Sequence, residues 1–146
     1  MARIVTDDEG LRQVVLQSKR IAVLGIKTEA QADQPSFYVA EYLKGQGIEV
    51  VPVPVYYPEA KTILGAPVYR TLASVPGELD LVAVFRRPTD LMPHFDDLVA
   101  AKPRAVWLQL GIQHDEFAQK LVNAGIDVVQ NRCLLVEHKR LAGRQG

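Results

Sequence analysis

Short, unbroken apolar runs alternate along this chain with longer segments in which apolar residues recur every three or four positions. The runs are RIAVLG (20–25), IEVVPVPV (48–55), LDLVAVF (79–85), RAVWLQL (104–110) and IDVVQ (126–130). Runs of this length without polar alternation predict strands buried on both faces of a parallel sheet. Between them, residues 7–19 set Leu11, Val14, Val15 and Leu16 along a helix opened by acidic residues. Residues 36–47 space Phe37, Ala40, Tyr42 and Leu43 close to the helical period, and Gly45 and Gly47 stop that helix. Residues 88–102 predict a helix with Thr89 as N-cap and Pro93 in its first turn. Residues 114–125 predict another, closed by Gly125. Pro52 and Pro54 remove ladder donors from the second run, so that strand ends early or lies near an edge. Residues 56–78 read as ordered loop with a turn of helix at 69–74. The tail from 132 packs its apolar half and frays over 139–146.

Strands alternating with helices imply right-handed crossovers and a sheet covered on both faces. The expected fold is α/β, a three-layer Rossmann-like domain with a mainly parallel five-stranded sheet. One domain spans 1–146, with its core at about 20–138 and a helix within 1–19. No repeat, low-complexity segment or inter-domain linker interrupts it.

Composition narrows the ligand classes. Lys plus Arg and Asp plus Glu balance at 17 each, so there is no electrostatic footprint for nucleic acid or an anionic membrane. An anion held here is held by local geometry. No apolar run approaches the roughly 20 residues of a membrane span, and MARIVTDDEG lacks the apolar centre of a signal peptide. The single cysteine builds no disulfide framework, and no Cys/His pair has zinc-site spacing. The expectation is a cytoplasmic, metal-free protein.

In open α/β sheets, ligands bind outside the carboxyl ends of the strands at the switch point in strand order. That directs attention to residues 25–36, 52–61, 85–89 and 109–114. The first segment ends at a helix N-terminus, where unpaired amides attract phosphate, and Lys27, Thr28 and Ser36 add a cation and two hydroxyls. It reads equally as a solvated connection with a capping serine. FRRP sets Arg86 and Arg87 directly after a buried strand. They can fork onto phosphate oxygens or stack on a base, or instead pair with Asp90 at the surface. The loop after the first strand lacks G-x-G-x-x-G, and the end of the second strand lacks the acidic residue that holds NAD ribose. Both absences argue against a dinucleotide. Trp107 reads as core, Gln109 as able to reach the crevice, and Cys133 as a buried small hydrophobe.

Taken in order, VAEYLKGQGIEVVPV, ILGAPVYRTLASVP, LDLVAVFRRP, WLQLGI and GIDVVQNRC resemble the small stand-alone CoA-binding proteins. Their domain is similar to the N-terminal CoA-binding domain of the succinyl-CoA synthetase α subunit. The resemblance runs over about 20–138, with LGAPVYRTL and FRRP its most specific parts. It implies coenzyme A, or an acyl-CoA, lying across the strand ends. Gly25, Ile26, Lys27 and Thr28 would hold phosphates and Ser36 would continue that site. Pro54 and Lys61 would flank the adenine, and Phe85, Arg86, Arg87 and Pro88 would line the same groove. The chain departs from the family after the second strand, where an asparagine–proline pair is common and PVPVYY stands here. The synthetase's second domain, with its phosphorylated histidine, has no counterpart in these residues, so ligase chemistry is not implied.

No catalytic constellation is legible. His94, His114 and His138 are scattered, with His114 expected to cap a helix near the ligand edge. Asp96 and Asp97 are adjacent on one helix and point in different directions. The expected function is therefore a non-catalytic CoA-binding accessory, carrier or sensor, as monomer or homodimer, with an unidentified protein partner possible. The alternatives are an NAD(P)-binding oxidoreductase-like domain, or an acyl-CoA enzyme subunit that needs a catalytic partner chain.

Overall fold

The structure, a computed structural model, describes residues 1–142. In chain order its strands are β1 (Arg20–Leu24), β2 (Glu49–Val53), β3 (Thr62–Ile63), β4 (Ala66–Pro67), β5 (Leu81–Val84), β6 (Ala105–Leu108) and β7 (Asp127–Val129). Five of them form one wholly parallel sheet in the order β2-β1-β5-β6-β7. Counting only these five, the order is 2-1-3-4-5, and it reverses between β1 and β5. The N-terminal segment adds a further parallel bridge, Ile4 to Val128, at the β7 edge.

Strand residues alternate between two apolar layers. Ile21, Val23, Leu81, Ala83 and Trp107 face helices α1 (Asp8–Gln17), α2 (Pro35–Gly45) and α5 (Leu134–Ala142). Ala22, Leu24, Val82, Val84 and Leu108 face α3 (Phe95–Ala101) and α4 (Asp115–Asn123). Burial on both faces is why these strands read as continuous apolar runs.

Pro52 lies inside β2, which is an edge strand of the five-stranded sheet. Its carbonyl accepts the Tyr69 N–H at 3.0 Å. In a strand one residue's N–H and C=O point to the same side, so the missing proline donor falls on the side away from β1 and costs the ladder nothing. The segment that covers this edge carries the antiparallel hairpin of β3 and β4, which the pattern did not predict.

Three expectations are corrected. Residues 69–74 form bends and a turn but no helix, because the Asp97 carboxylate accepts the amides of Leu72 (2.7 Å) and Ala73 (2.9 Å) in place of helical carbonyls. Thr89 is not an N-cap. It sits inside the short 3₁₀ turn Pro88–Asp90, a second turn Met92–His94 follows, and α3 starts only at Phe95. Pro88 and Pro93 lack the amides a continuous helix would use, so the segment opens as two tight turns. The tail does not fray from 139. Residues 139–142 complete α5, with Leu141 buried and Arg140 paired to Asp8 (2.9 Å) and Glu137 (2.8 Å). The remaining tail residues, 143–146, lie outside the described residues.

Candidate functional site

The parallel ladder continues one residue past the strands. Gly25 N–H donates to Val53 O (2.9 Å), Phe85 N–H to Leu24 O (2.9 Å) and Gln109 N–H to Val84 O (3.3 Å). The ends of β2, β1, β5 and β6 therefore stop level, with the switch point between β1 and β5. A crevice of about 390 Å³ opens there, within the size range of small-ligand pockets.

Gly25 lets the two loops approach. Its φ is +86°, and a Cβ on it would stand 2.5 Å from the Phe85 carbonyl oxygen. Lys27 N–H then bonds to Ser36 O (3.2 Å), folding the loop back onto the start of α2. That helix begins open. Its N-cap, Gln34, makes no side-chain capping bond and its first residue is Pro35. Gln34, Pro35 and Ser36 all line the crevice. The Lys27 ammonium and the Ser36 hydroxyl have no ionic or hydrogen-bond partner among the described residues, and both residues line the same cavity. The Phe37 and Tyr38 amides already bond to Gln34 O (2.9 Å each), which leaves a cation, a hydroxyl and the Ser36 amide at a helix N-terminus, groups suited to an anion.

The two arginines of FRRP separate. The Arg86 side chain is 17% exposed and the Arg87 side chain 81%. Arg87 Nε donates to Asp90 at 3.0 Å, the surface pairing that was one of its two readings. Arg86 Nε donates to His94 Nε2 at 3.2 Å, its guanidinium carbon lies 5.9 Å from the centre of the Tyr56 ring, and Nη2 stands 3.9 Å from Asp90. Burial pushes the His94 imidazolium equilibrium below the ordinary histidine range. Arg86 adds to that shift, while Asp97 and Asp90 oppose it.

Of the residues singled out from sequence, Gly25, Ile26, Lys27, Ser36, Phe85, Arg86, Arg87 and Pro88 meet at this crevice. Thr28, Pro54 and Lys61 do not line it. Thr28 is used locally: its hydroxyl donates to Gln31 Oε1 (2.7 Å) in a capping box on the 3₁₀ turn Glu29–Gln31. Pro54 is buried beyond β2, and Lys61 points outward beside the hairpin, exposed to solvent.

From the segments 52–61 and 109–114 that the strand ends marked, Tyr56 and Tyr57 line the β2 side of the crevice and Leu110 to Ile112 the β6 side. Tyr57 has φ +64°. The strained turn is held by Arg70, whose guanidinium donates to the carbonyls of Tyr56 (3.2 Å), Tyr57 (3.0 Å), Pro58 (3.3 Å) and Ala60 (2.9 Å). The arginine in LGAPVYRTL thus builds a pocket wall from outside the pocket. Gln109 reaches the crevice as expected, and its Oε1 also accepts the first amide of α5, from Leu134, at 3.3 Å. His114 caps α4, its Nδ1 accepting the Phe117 amide at 3.1 Å. Cys133 is half-buried against the core.

The crevice lies at the switch point of a doubly wound sheet, the place where such sheets bind ligands. Residues 19–139 match the CoA binding domain family, and the chain belongs to it. It is 30% identical over 128 residues to the uncharacterized protein YneT of Bacillus subtilis, covering 88% of this chain and 91% of that one. A Thermus thermophilus protein of solved structure (cell-free ID.343) is 41% identical with a TM-score of 0.84, over 93% of this chain and 99% of the other. A hypothetical protein from Pyrococcus horikoshii is 28% identical with a TM-score of 0.83, over 98% and 99%. No helix among the described residues is long and apolar enough to cross a membrane, and no group of three or more His, Cys, Asp or Glu among them is placed to hold a metal ion.

Proposed function

We propose that this protein is a non-catalytic module that holds coenzyme A or an acyl-CoA along the carboxyl edge of its sheet. The observation that carries the reading is the set of uncommitted donors at the switch point: Lys27, Ser36 and the open start of α2, with Arg86 across the crevice. These fit a diphosphate. Lys27 and the Ser36 amide at the start of α2 would take its charge, the Ser36 hydroxyl would donate, and the terminal nitrogens of Arg86 would reach further phosphate oxygens. The tyrosine wall at 56–57 suits a flat base. The lining residues include no carboxylate, imidazole or thiol. Such a module stores, senses or presents its ligand to another protein.

The dinucleotide alternative finds no support at the end of β2, where Val53, Pro54, Val55 and Tyr56 offer no carboxylate to ribose hydroxyls.

Isothermal titration of the purified protein with CoA, with NAD⁺ and ADP in parallel, tests the reading. The expected result is submillimolar CoA binding with much weaker NAD⁺ binding. Arg86→Ala should weaken CoA about tenfold or more, the range of a charge-assisted hydrogen bond. Arg87→Ala should change it less than about threefold, since that side chain is exposed and already paired. Tighter NAD⁺ binding, or no binding of any of the three, would refute the assignment.

A further inference from the structure

We propose that His94, which does not line the crevice, is the positioning residue that aims Arg86 at the ligand's phosphates. The inference rests on the CoA reading for the ligand's identity and on the geometry around Arg86 for the role.

A free arginine side chain has many rotamers, and ordering it on binding costs conformational entropy that weakens the complex. Arg86 is ordered before any ligand arrives. Its Nε–H is taken by His94 Nε2 at 3.2 Å, and Asp90 stands beside Nη2 at 3.9 Å. The Tyr56 ring lies under the guanidinium. Arginine has five N–H donors in a rigid fork. Spending the inner one on His94 fixes the plane of the fork while leaving the outer nitrogens for phosphate oxygens. Asp90 alone cannot do this, because its short contact, 3.0 Å, is to Arg87.

The bond dictates the state of the imidazole. Nε–H always donates, so His94 Nε2 must carry the lone pair and the ring is neutral with its proton on Nδ1. The backbone delivers the ring to that place. Leu91, fully buried, anchors the junction of the two 3₁₀ turns, and His94 N–H bonds to Leu91 O at 2.9 Å. The charged groups around the ring are Arg86, Asp90 and Asp97.

The test uses CoA titrations of the full chain and variants chosen to separate positioning from packing. His94→Ala should weaken CoA about three- to tenfold. His94→Gln carries an acceptor oxygen at about the reach of Nε2 and should restore binding to within about twofold of the native chain. In an Arg86→Ala background, His94→Ala should add nothing, because its effect passes through the arginine. Native-like CoA affinity in His94→Ala would overturn the proposal, and so would full additivity in the double variant. The ligand-free protein gives an independent arm. Nitrogen-15 spectra of the histidine ring should show the proton on Nδ1, and a proton on Nε2 would remove the Arg86–His94 bond from the argument. Because that arm uses no CoA, failure of the CoA reading and failure of the positioning role are told apart.

Discussion

Replacing Gly25 by alanine tests whether the crevice depends on the close approach of the β1 and β5 loops. The new Cβ would lie 2.5 Å from the Phe85 carbonyl oxygen, 3.2 Å from its carbon and 3.4 Å from Arg86 Cδ. The first contact is to backbone, so no side-chain rotation relieves it. Gly47 supplies the control, with a φ of +82° against +86° and nothing within 4 Å of where its Cβ would stand. Both variants carry the left-handed backbone penalty of about 1–2 kcal/mol for a residue with a Cβ. Only Gly25→Ala adds the overpacking penalty of about 1–3 kcal/mol. Positive φ by itself is tolerated in this fold, since Tyr57, Leu64, Lys102 and Asn131 all adopt it.

Urea unfolding followed by far-ultraviolet circular dichroism measures both variants on one scale. The expected result is a loss of about 1–2 kcal/mol for Gly47→Ala and about 2–5 kcal/mol for Gly25→Ala. Relief can come only by moving the 25–27 loop away from 85–87. CoA affinity should therefore fall about tenfold in Gly25→Ala and stay native in Gly47→Ala. Equal destabilisation by the two substitutions, within about 0.5 kcal/mol, would refute the argument that the Phe85 carbonyl is the reason for glycine at 25.

Two further predictions concern the pocket wall and pH. Arg70→Ala removes the donor shared by four carbonyls at 56–60. Amide exchange of that loop should accelerate at least about tenfold at a global cost near 1 kcal/mol, and Arg70→Lys should not rescue it, since one ammonium cannot span the four. Unchanged exchange at 56–60 would refute the clamp. His138, buried beside α2 with Nδ1 2.8 Å from the Tyr42 hydroxyl, has its imidazolium disfavoured by burial, as does His94. Both take up protons in the unfolded chain near pH 6.5 and resist them when folded, so the unfolded state binds more protons just below that pH. Stability should thus fall as pH drops through about 6.5, seen as a lower Tm at about pH 5 than at about pH 7.5, with His138→Gln flattening part of the slope. A Tm that rises on acidification across this range would show that burial does not govern these rings.

The strands were legible because a parallel sheet covered on both faces imposes one local rule on five separate segments, and no long-range fact is needed to see it. The rule that ligands sit beyond the carboxyl ends of such strands then pointed to the crevice, and eight of the eleven residues singled out with the help of the family resemblance meet there. What escaped sequence reading was set by pairs distant in the chain. α5 looked like a fraying tail because LLVEHKRL carries Glu137 and His138 on its buried side. Their burial is tolerable only because Arg132 and Arg140 reach Glu137 at 3.2 and 2.8 Å and Tyr42 meets His138. A charged stretch with its partners elsewhere is indistinguishable by pattern from a solvated one.

The same logic separates the site residues that were visible from those that were not. Gly25, Lys27, Ser36 and Arg86 belong to the first residues after a strand or the first turn of a helix, where backbone geometry alone assigns a role. Tyr56 and Tyr57 fall in the marked segment 52–61, but the shape of their proline-flanked loop is set by a guanidinium more than ten residues downstream, and nothing in YYP announces that clamp. His94 is the sharper case. Eight residues separate it from Arg86, and two prolines intervene that bar one continuous helix from joining the two. Those prolines break the expected helix into two 3₁₀ turns and thereby swing the imidazole back to the arginine. The feature that defeated the secondary-structure reading at 88–94 is the feature that assembles the second layer of the site.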